Sequence, residues 1–227
     1  NRTDNPHGVT AIQIGALTEE LDPVANAALA VHTNRADNPH GVTAAQIGAL
    51  TNEQDVAALR TYHYGSPDIV ESPAEWFRFD GAGTITAFNW EAGRENVVIP
   101  WEIGGVPVTT IGQSAFQMSG IVSVIAPQTV TMISSVAFGN CASLASVIVP
   151  AAQTIGYFVF ADCPSLASVS LPQAQTFGDY AFYYCTSLTS IYFDNDAPTI
   201  GAGIFEGLNP NQVTIYVTNP QATGWGA

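Results

Sequence analysis

The sequence predicts a mainly β protein with short helical turns, in which an N-terminal elongated segment precedes a solenoid of stacked 22-residue units. Three observations carry this. One short phrase recurs four times between Val108 and Phe193: Ile111-Gly112-Gln-Ser-Ala115-Phe116, Ile133-Ser134-Ser-Val-Ala137-Phe138, Ile155-Gly156-Tyr-Phe-Val159-Phe160 and Phe177-Gly178-Asp-Tyr-Ala181-Phe182. Its phenylalanines stand 22 residues apart, and a degenerate fifth copy ending at Phe205 follows after 23. A fixed period of this size marks units too small to bury an apolar face alone, so they stack on their neighbours. Second, residues 1–18 recur almost unchanged at 34–51, a period of 33 unrelated to the first. Third, 47% hydrophobic and 11% charged residues in 227 supply ample material for a packed core.

Charge excludes several partners. The net charge is −14, from 19 acids against five bases, all of them arginine and none beyond Arg94. A nucleic-acid partner requires a basic stripe to displace phosphate counterions, and an anionic membrane surface attracts basic segments, so neither is expected. No run of about 18 apolar residues is present, and no basic-then-apolar signal arrangement opens the chain, so neither membrane insertion nor a Sec signal is expected. The chain begins at Asn1, inside a repeat unit and without methionine, as a segment of a longer protein does.

The first element is residues 1–61. Its Asp-Asn-Pro-His-Gly phrase is turn chemistry: proline fixes φ and keeps the preceding Asn out of the helical region, and glycine admits positive φ. Thr18-Glu-Glu and Thr51-Asn-Glu open two short helical patterns with a capping residue and acids in the first turn. Helices that short are marginal alone. With so little apolar surface to offset ordering entropy, the segment needs partner chains. The duplicated DNPHGVTxxQIGAL unit resembles the shaft repeats of bacteriophage tail fibres and receptor-binding proteins. That resemblance implies a homotrimer through residues 1–61, carried on a virion tail fibre, with the C-terminal part as the distal tip.

Residues 62–83 form a linker and cap, marked by Gly65-Ser-Pro67, Ser72-Pro73 and Gly81-Ala-Gly83. Trp76, Phe77 and Phe79 there are expected to cover the first open edge of the array. Residues 84–227 are the repeat domain, with caps at 84–107 and 206–227. Strands are expected at Ile85 to Trp90 and at Val97 to Ile99. Within each unit the Cys position leads to Ser-Leu-x-Ser-Val-x-Val/Leu-Pro. Alternation from Val147 to Val149 and from Val169 to Leu171 predicts one short strand per unit, stopped by proline. The Ile-Gly-x-x-Ala-Phe half is expected to be a turn and a single helical or 3-10 turn that drops its Phe into the core. The last strand is expected at Val213 to Val217, followed by a capping tail.

This pattern, with Tyr180-Ala-Phe-Tyr-Tyr-Cys-Thr-Ser-Leu-Thr-Ser-Ile nearly letter for letter, resembles the BspA-like class of leucine-rich repeat over about residues 84 to 217. The resemblance implies a surface or secreted binding module. Departures fall at the ends: Ser119 and Leu208 stand in the Cys position of the first and last units, and one residue is deleted before Ile121.

Chemistry is sparse. Cys141, Cys163 and Cys185 occupy one column, without the paired spacing of a metal site, and are expected to be buried packing. His7, His32, His40 and His63 are the only histidines; the axial metal sites of the phage fibres that the shaft resembles use closely spaced histidine pairs on each chain, which this sequence lacks, so no metal and no cofactor are expected. Beyond His63 neither histidine nor lysine occurs, so no Ser/His/Asp triad or lysine base can be built in the array. Asp179 with Asp162, or Asp194 with Asp196, are the carboxylate pairs that glycoside cleavage would need, and no catalytic residue is assigned.

What remains is the surface. Tyr157 and Tyr183 at turn positions, Tyr184 next to its Cys and Tyr192 on the outward side of a strand gather toward the third and fourth units with Asp162 and Asp179 nearby, and exposed tyrosine beside acids suits contact with host cell-surface carbohydrate or protein. Tyr180 is framework, since Val136 and Phe158 precede the other small-residue–Phe pairs. The expected function is receptor binding by a phage tail-fibre tip. The alternatives are a polysaccharide-degrading tip and a bacterial surface adhesin.

Overall fold

Every 22 residues the chain completes one coil, and each coil lends one strand to each of two parallel sheets. The computed structural model describes residues 69–209 and 211–225. The expected shaft with His7, His32 and His40, and His63 of the expected linker, lie outside the described residues. In chain order the strands are β1 (Phe77–Phe79), β2 (Thr84–Phe88), β3 (Asn96–Val98), β4 (Glu102–Ile103), β5 (Val106–Pro107), β6 (Thr110–Ile111), β7 (Ser123–Ile125) and β8 (Met132–Ile133). They continue as β9 (Ser146–Ile148), β10 (Thr154–Ile155), β11 (Ser168–Ser170), β12 (Thr176–Phe177), β13 (Ser190–Phe193), β14 (Thr199–Ile200) and β15 (Thr214–Val217).

One sheet runs β1-β2-β6-β8-β10-β12-β14 and the other β15-β13-β11-β9-β7-β3, while β4 and β5 form a separate hairpin. The expected strand of each unit is present in the six-stranded sheet. Its inward residues Val124, Val147, Val169 and Ile191 are buried, as period-two alternation requires.

The Ile-Gly half departs from expectation. It opens with a two-residue strand in the seven-stranded sheet and continues as overlapping turns; the one helical segment among the described residues is the 3-10 turn Ala74–Trp76. The reason lies in where its amides bond. Ser114, Phe116 and Met118 donate their N–H to the carbonyls of Ser135, Ala137 and Gly139 in the next coil, at 3.2, 2.8 and 3.0 Å. The pattern repeats at Val136, Phe138 and Asn140, and again in later coils. A helix would turn those donors back on its own coil. The alternation needs left-handed backbone twice per coil, at Ser114 and Met118, Val136 and Asn140, Phe158 and Asp162, Tyr180 and Tyr184, with φ between 53° and 60°. In the fifth coil glycines take both places, Gly203 and Gly207. There the rings of Tyr180 and Tyr184 lie where a Cβ would have to stand.

The core is a stack of rings. Phe88, Phe116, Phe138, Phe160, Phe182 and Phe205 follow one another at centroid distances of 4.9, 5.0, 5.5, 5.3 and 5.8 Å with interplanar angles of 25° or less. Burying each such side chain is worth roughly 1.5–3 kcal/mol. At the first edge β1 pairs antiparallel with β2, and Phe77 packs on Phe88 and Phe116. Trp76 lies edge-on to Phe88, with the Arg94 guanidinium 5.0 Å above its ring. At the other end Trp225 packs on Phe193 at 4.8 Å and donates its indole N–H to the Asn195 carbonyl at 2.8 Å, tying the tail to the last full coil.

Candidate binding surface

The column that looks most reactive is structural. Cys141, Cys163 and Cys185 are fully buried and unpaired as disulfides. Each thiol donates to the carbonyl of the phenylalanine one coil earlier: Cys141 to Phe116 at 3.0 Å, Cys163 to Phe138 at 3.0 Å, Cys185 to Phe160 at 2.9 Å. In the first coil Ser119 holds the same place and bonds Cys141 at 3.4 Å. Hydrogen bonding with Cys141 and burial both push the Cys163 thiol up, and burial takes Cys185 to about 12, so these two sulfurs stay protonated at neutral pH, while the hydrogen bond with Cys163 shifts the Cys141 thiol down. No group of metal-ligating residues occurs among the described residues.

The six residues expected to bind fall on two different sides of the coil. Five lie on the turns. Tyr157, 54% exposed, and Asp179 occupy equivalent positions in successive coils, just before the left-handed residues Phe158 and Tyr180, whose rings stack at 5.0 Å and 14°. Tyr180 is thus framework, as expected. Asp162 and Tyr184 share the second left-handed column, and Tyr184 is 48% exposed. Tyr183 is half-buried, edge-on to Tyr180 at 5.8 Å and tilted against Tyr184 at 4.5 Å. Desolvation raises its phenol above the ordinary value, and the neighbouring charges of Tyr184, Glu206 and Asp162 add to that. The Asp179 carboxylate accepts the Ala202 N–H at 2.8 Å, which spends one of its oxygens on the junction with the fifth coil.

Tyr192 lies elsewhere, on the outer face of the six-stranded sheet. Parallel register aligns two outward columns there. One is Asn96, Ser123, Ser146, Ser168, Ser190 and Thr214; the other is Val98, Ile125, Ile148, Ser170, Tyr192 and Tyr216. Neither column contains an acid or a base. Tyr216, which the repeat pattern did not single out, stacks on Tyr192 at 4.8 Å and 13° and is 45% exposed. Tyr192 stands 10 residues after its repeat phenylalanine but Tyr216 stands 11 after Phe205, and that one-residue slip in the last unit hid the pair.

The carboxylate pairs are engaged as loop fasteners. Asp194 accepts the Thr218 hydroxyl at 2.6 Å and Asp196 the Thr223 N–H at 2.6 Å, a bond that holds the Asp196 carboxyl below its usual value. Beyond them, the open end of the core forms a hollow of about 370 Å³ lined by Phe205, Leu208, Asn209, Val213 and Ile215.

Comparison with known families agrees with this geometry. Six copies of the BspA type leucine rich repeat region match residues 109–221. Residues 109–221 form a BspA-type leucine-rich repeat region. Among solved structures, a T. pallidum leucine rich repeat protein is 27% identical, with 66% of this chain and 84% of that one covered and a TM-score of 0.47. A leucine rich cell surface protein of Faecalibacterium prausnitzii is 23% identical, with 63% of this chain and 52% of that one covered and a TM-score of 0.40. A leucine-rich repeat protein of Bacteroides capillosus is 25% identical over 62% of this chain and 90% of that one, with a TM-score of 0.37. Among curated proteins nothing matches the chain.

Proposed function

We propose that the BspA-type region is a non-catalytic attachment module that binds a ligand on a bacterial cell surface, and that in the whole protein it forms the distal tip of a trimeric phage tail fibre. The observation that carries the binding reading is the set of exposed tyrosines held on a rigid stack: Tyr157 and Tyr184 on the turns, Tyr192 and Tyr216 on the sheet. Large amphipathic side chains with few rotatable bonds lose little entropy on contact and supply both apolar area and a hydroxyl. Their neighbours are fixed by inter-coil hydrogen bonds and ring stacking, so the surface is preorganised.

Absence of catalysis is supported by the chemistry of the array. Its thiols are fully buried, and Asp179, Asp194 and Asp196 are committed to Ala202, Thr218 and Thr223. The fibre reading rests on the duplicated DNPHGVTxxQIGAL units of residues 1–51. Three heads on one shaft convert weak single contacts into firm attachment, because each later contact forms at a high effective concentration.

The test uses the whole chain, fluorescently labelled, on host cells, beside a variant with Tyr157, Tyr183, Tyr184 and Tyr192 changed to alanine. Loss of cell labelling with an unchanged circular dichroism spectrum is expected; undiminished labelling would remove the tyrosine surface from the account. Light scattering on the same sample is expected to give three times the 23.9 kDa chain mass. A monomer would sink the fibre reading and leave the adhesin alternative.

A further inference from the structure

The outer face of the six-stranded sheet has a gap in its second column. Between Ile148 on β9 and Tyr192 on β13, the register places Ser170 on β11, a small side chain flanked by two large exposed ones. Neighbouring strands lie about 4.8 Å apart, so Ile148 and Tyr192 stand roughly 9–10 Å apart across two strand steps. The Tyr192 ring is nearly parallel to that of Tyr216 at 4.8 Å, one strand step. Its normal therefore runs along the stack, and its second face turns toward the gap over Ser170.

A six-membered ring seated above Ser170 would lie about 4.8 Å from Tyr192 on one side and from Ile148 on the other. That is the spacing Tyr216 already keeps on the far face of Tyr192. The gap thus has room for one ring, walled by an aromatic face and an aliphatic side chain. Beside it runs the serine column, with half-exposed Ser146, Ser168 and Ser190 in register across the same three strands. An aromatic side chain of a partner protein would fill the gap but leave these hydroxyls and that of Ser170 desolvated without partners, at a cost. A ring with an apolar C–H face and a rim of hydroxyls satisfies both walls and column. Charge narrows the class further: neither column holds a carboxylate or a cationic side chain, and the chain as a whole carries −14, which repels an anionic glycan.

We propose that the gap over Ser170 is a sugar subsite, taking one neutral hexopyranose ring stacked on Tyr192 and hydrogen-bonded to the hydroxyls of Ser168 and Ser190. The subsite rests on the binding reading above and names its ligand class. It also separates the tyrosines, since Tyr192 contacts the sugar and Tyr157 does not.

The test is binding of the whole chain to immobilised neutral oligosaccharides of glucose, galactose, mannose and N-acetylglucosamine, beside an acidic series of sialylated and uronic oligosaccharides. Wild-type protein is expected to retain at least one neutral member. Ser170→Trp, which fills the gap from its floor while leaving the inward face of β11 untouched, and Tyr192→Ala are each expected to weaken that binding tenfold or more. Gln128→Ala, at an exposed turn position outside both outward columns, is expected to stay within threefold. Circular dichroism and melting of each variant confirm folding. If Ser170→Trp and Tyr192→Ala bind as wild type does, the ligand sits elsewhere and the subsite is overturned while the attachment function stands. Retention of acidic members alone overturns the subsite in the same way. Failure of wild-type protein to bind host cells or any glycan overturns both.

Discussion

Replacing Cys163 tests whether the cysteine column is there for its hydrogen bond or only for its volume. The thiol is fully buried and donates to the Phe138 carbonyl at 3.0 Å. Cys163→Ala removes the donor and strands a buried acceptor, worth about 1–3 kcal/mol. It also deletes a sulfur's packing, roughly 0.5–1.5 kcal/mol by analogy with removal of one methylene-sized group. The sum is a destabilisation of about 1.5–4.5 kcal/mol. Cys163→Val restores volume without a donor and is expected to cost about 1–3 kcal/mol. Cys163→Ser keeps a donor in a slightly smaller side chain, as Ser119 does in the first coil, and is expected to cost about 1 kcal/mol. Guanidinium unfolding followed by far-ultraviolet circular dichroism gives the order, read as midpoints at constant slope. The expected order is wild type, Ser, Val, Ala. Valine matching wild type, or alanine surpassing serine, would refute the hydrogen-bond argument and leave packing alone.

Further outcomes follow from the same geometry. All three cysteines are expected to resist Ellman's reagent in the native chain and to react together in guanidinium; a fast native thiol would contradict their burial. Met118 is 72% exposed at φ 58°, where an ordinary side chain costs about 1–2 kcal/mol. Met118→Asn, which copies Asn140 one coil later, is therefore expected to stabilise by about 0.5 kcal/mol in thermal unfolding, and a loss would show that the methionine is held by contacts of its own. Backbone N–H bonds hold Asp80, Glu95 and Asp196 below their ordinary carboxylate values. Folded pKa values below unfolded ones mean that these groups stabilise the chain above about pH 4 and lose that contribution as pH falls through the folded values. The urea midpoint is expected to fall between pH 6 and pH 3, less so in Asp196→Asn; a flat profile would contradict the linkage.

Much of the stack was legible because it is periodic. Phe116, Phe138, Phe160 and Phe182 announce one buried column at a fixed interval, and the cysteines a second. The strand at Ser146–Ile148 shows its alternation in three residues flanked by Leu144 and Pro150. The second sheet was not legible, because strands such as Thr154–Ile155 are two residues long and carry no alternation. Nor was the turn ladder. A left-handed position is signalled by glycine, asparagine or aspartate, yet Val136, Phe158 and Tyr180 occupy it, held there by bonds to the next coil that no local pattern records. Of the surface, Tyr157, Tyr184 and Tyr192 were visible as tyrosines at variable positions. That Tyr192 faces outward from a strand while Tyr157 and Tyr183 sit on turns was visible too; that Tyr216 stacks on Tyr192 depends on strand register and on the slip in the last unit.

The most direct test of attachment without cleavage is to incubate the whole chain with purified host surface polysaccharide and follow both partners by size-exclusion chromatography with light scattering. Co-elution of protein with polysaccharide of unchanged length is the expected result. Polysaccharide that emerges shortened would contradict it and make the tip an enzyme.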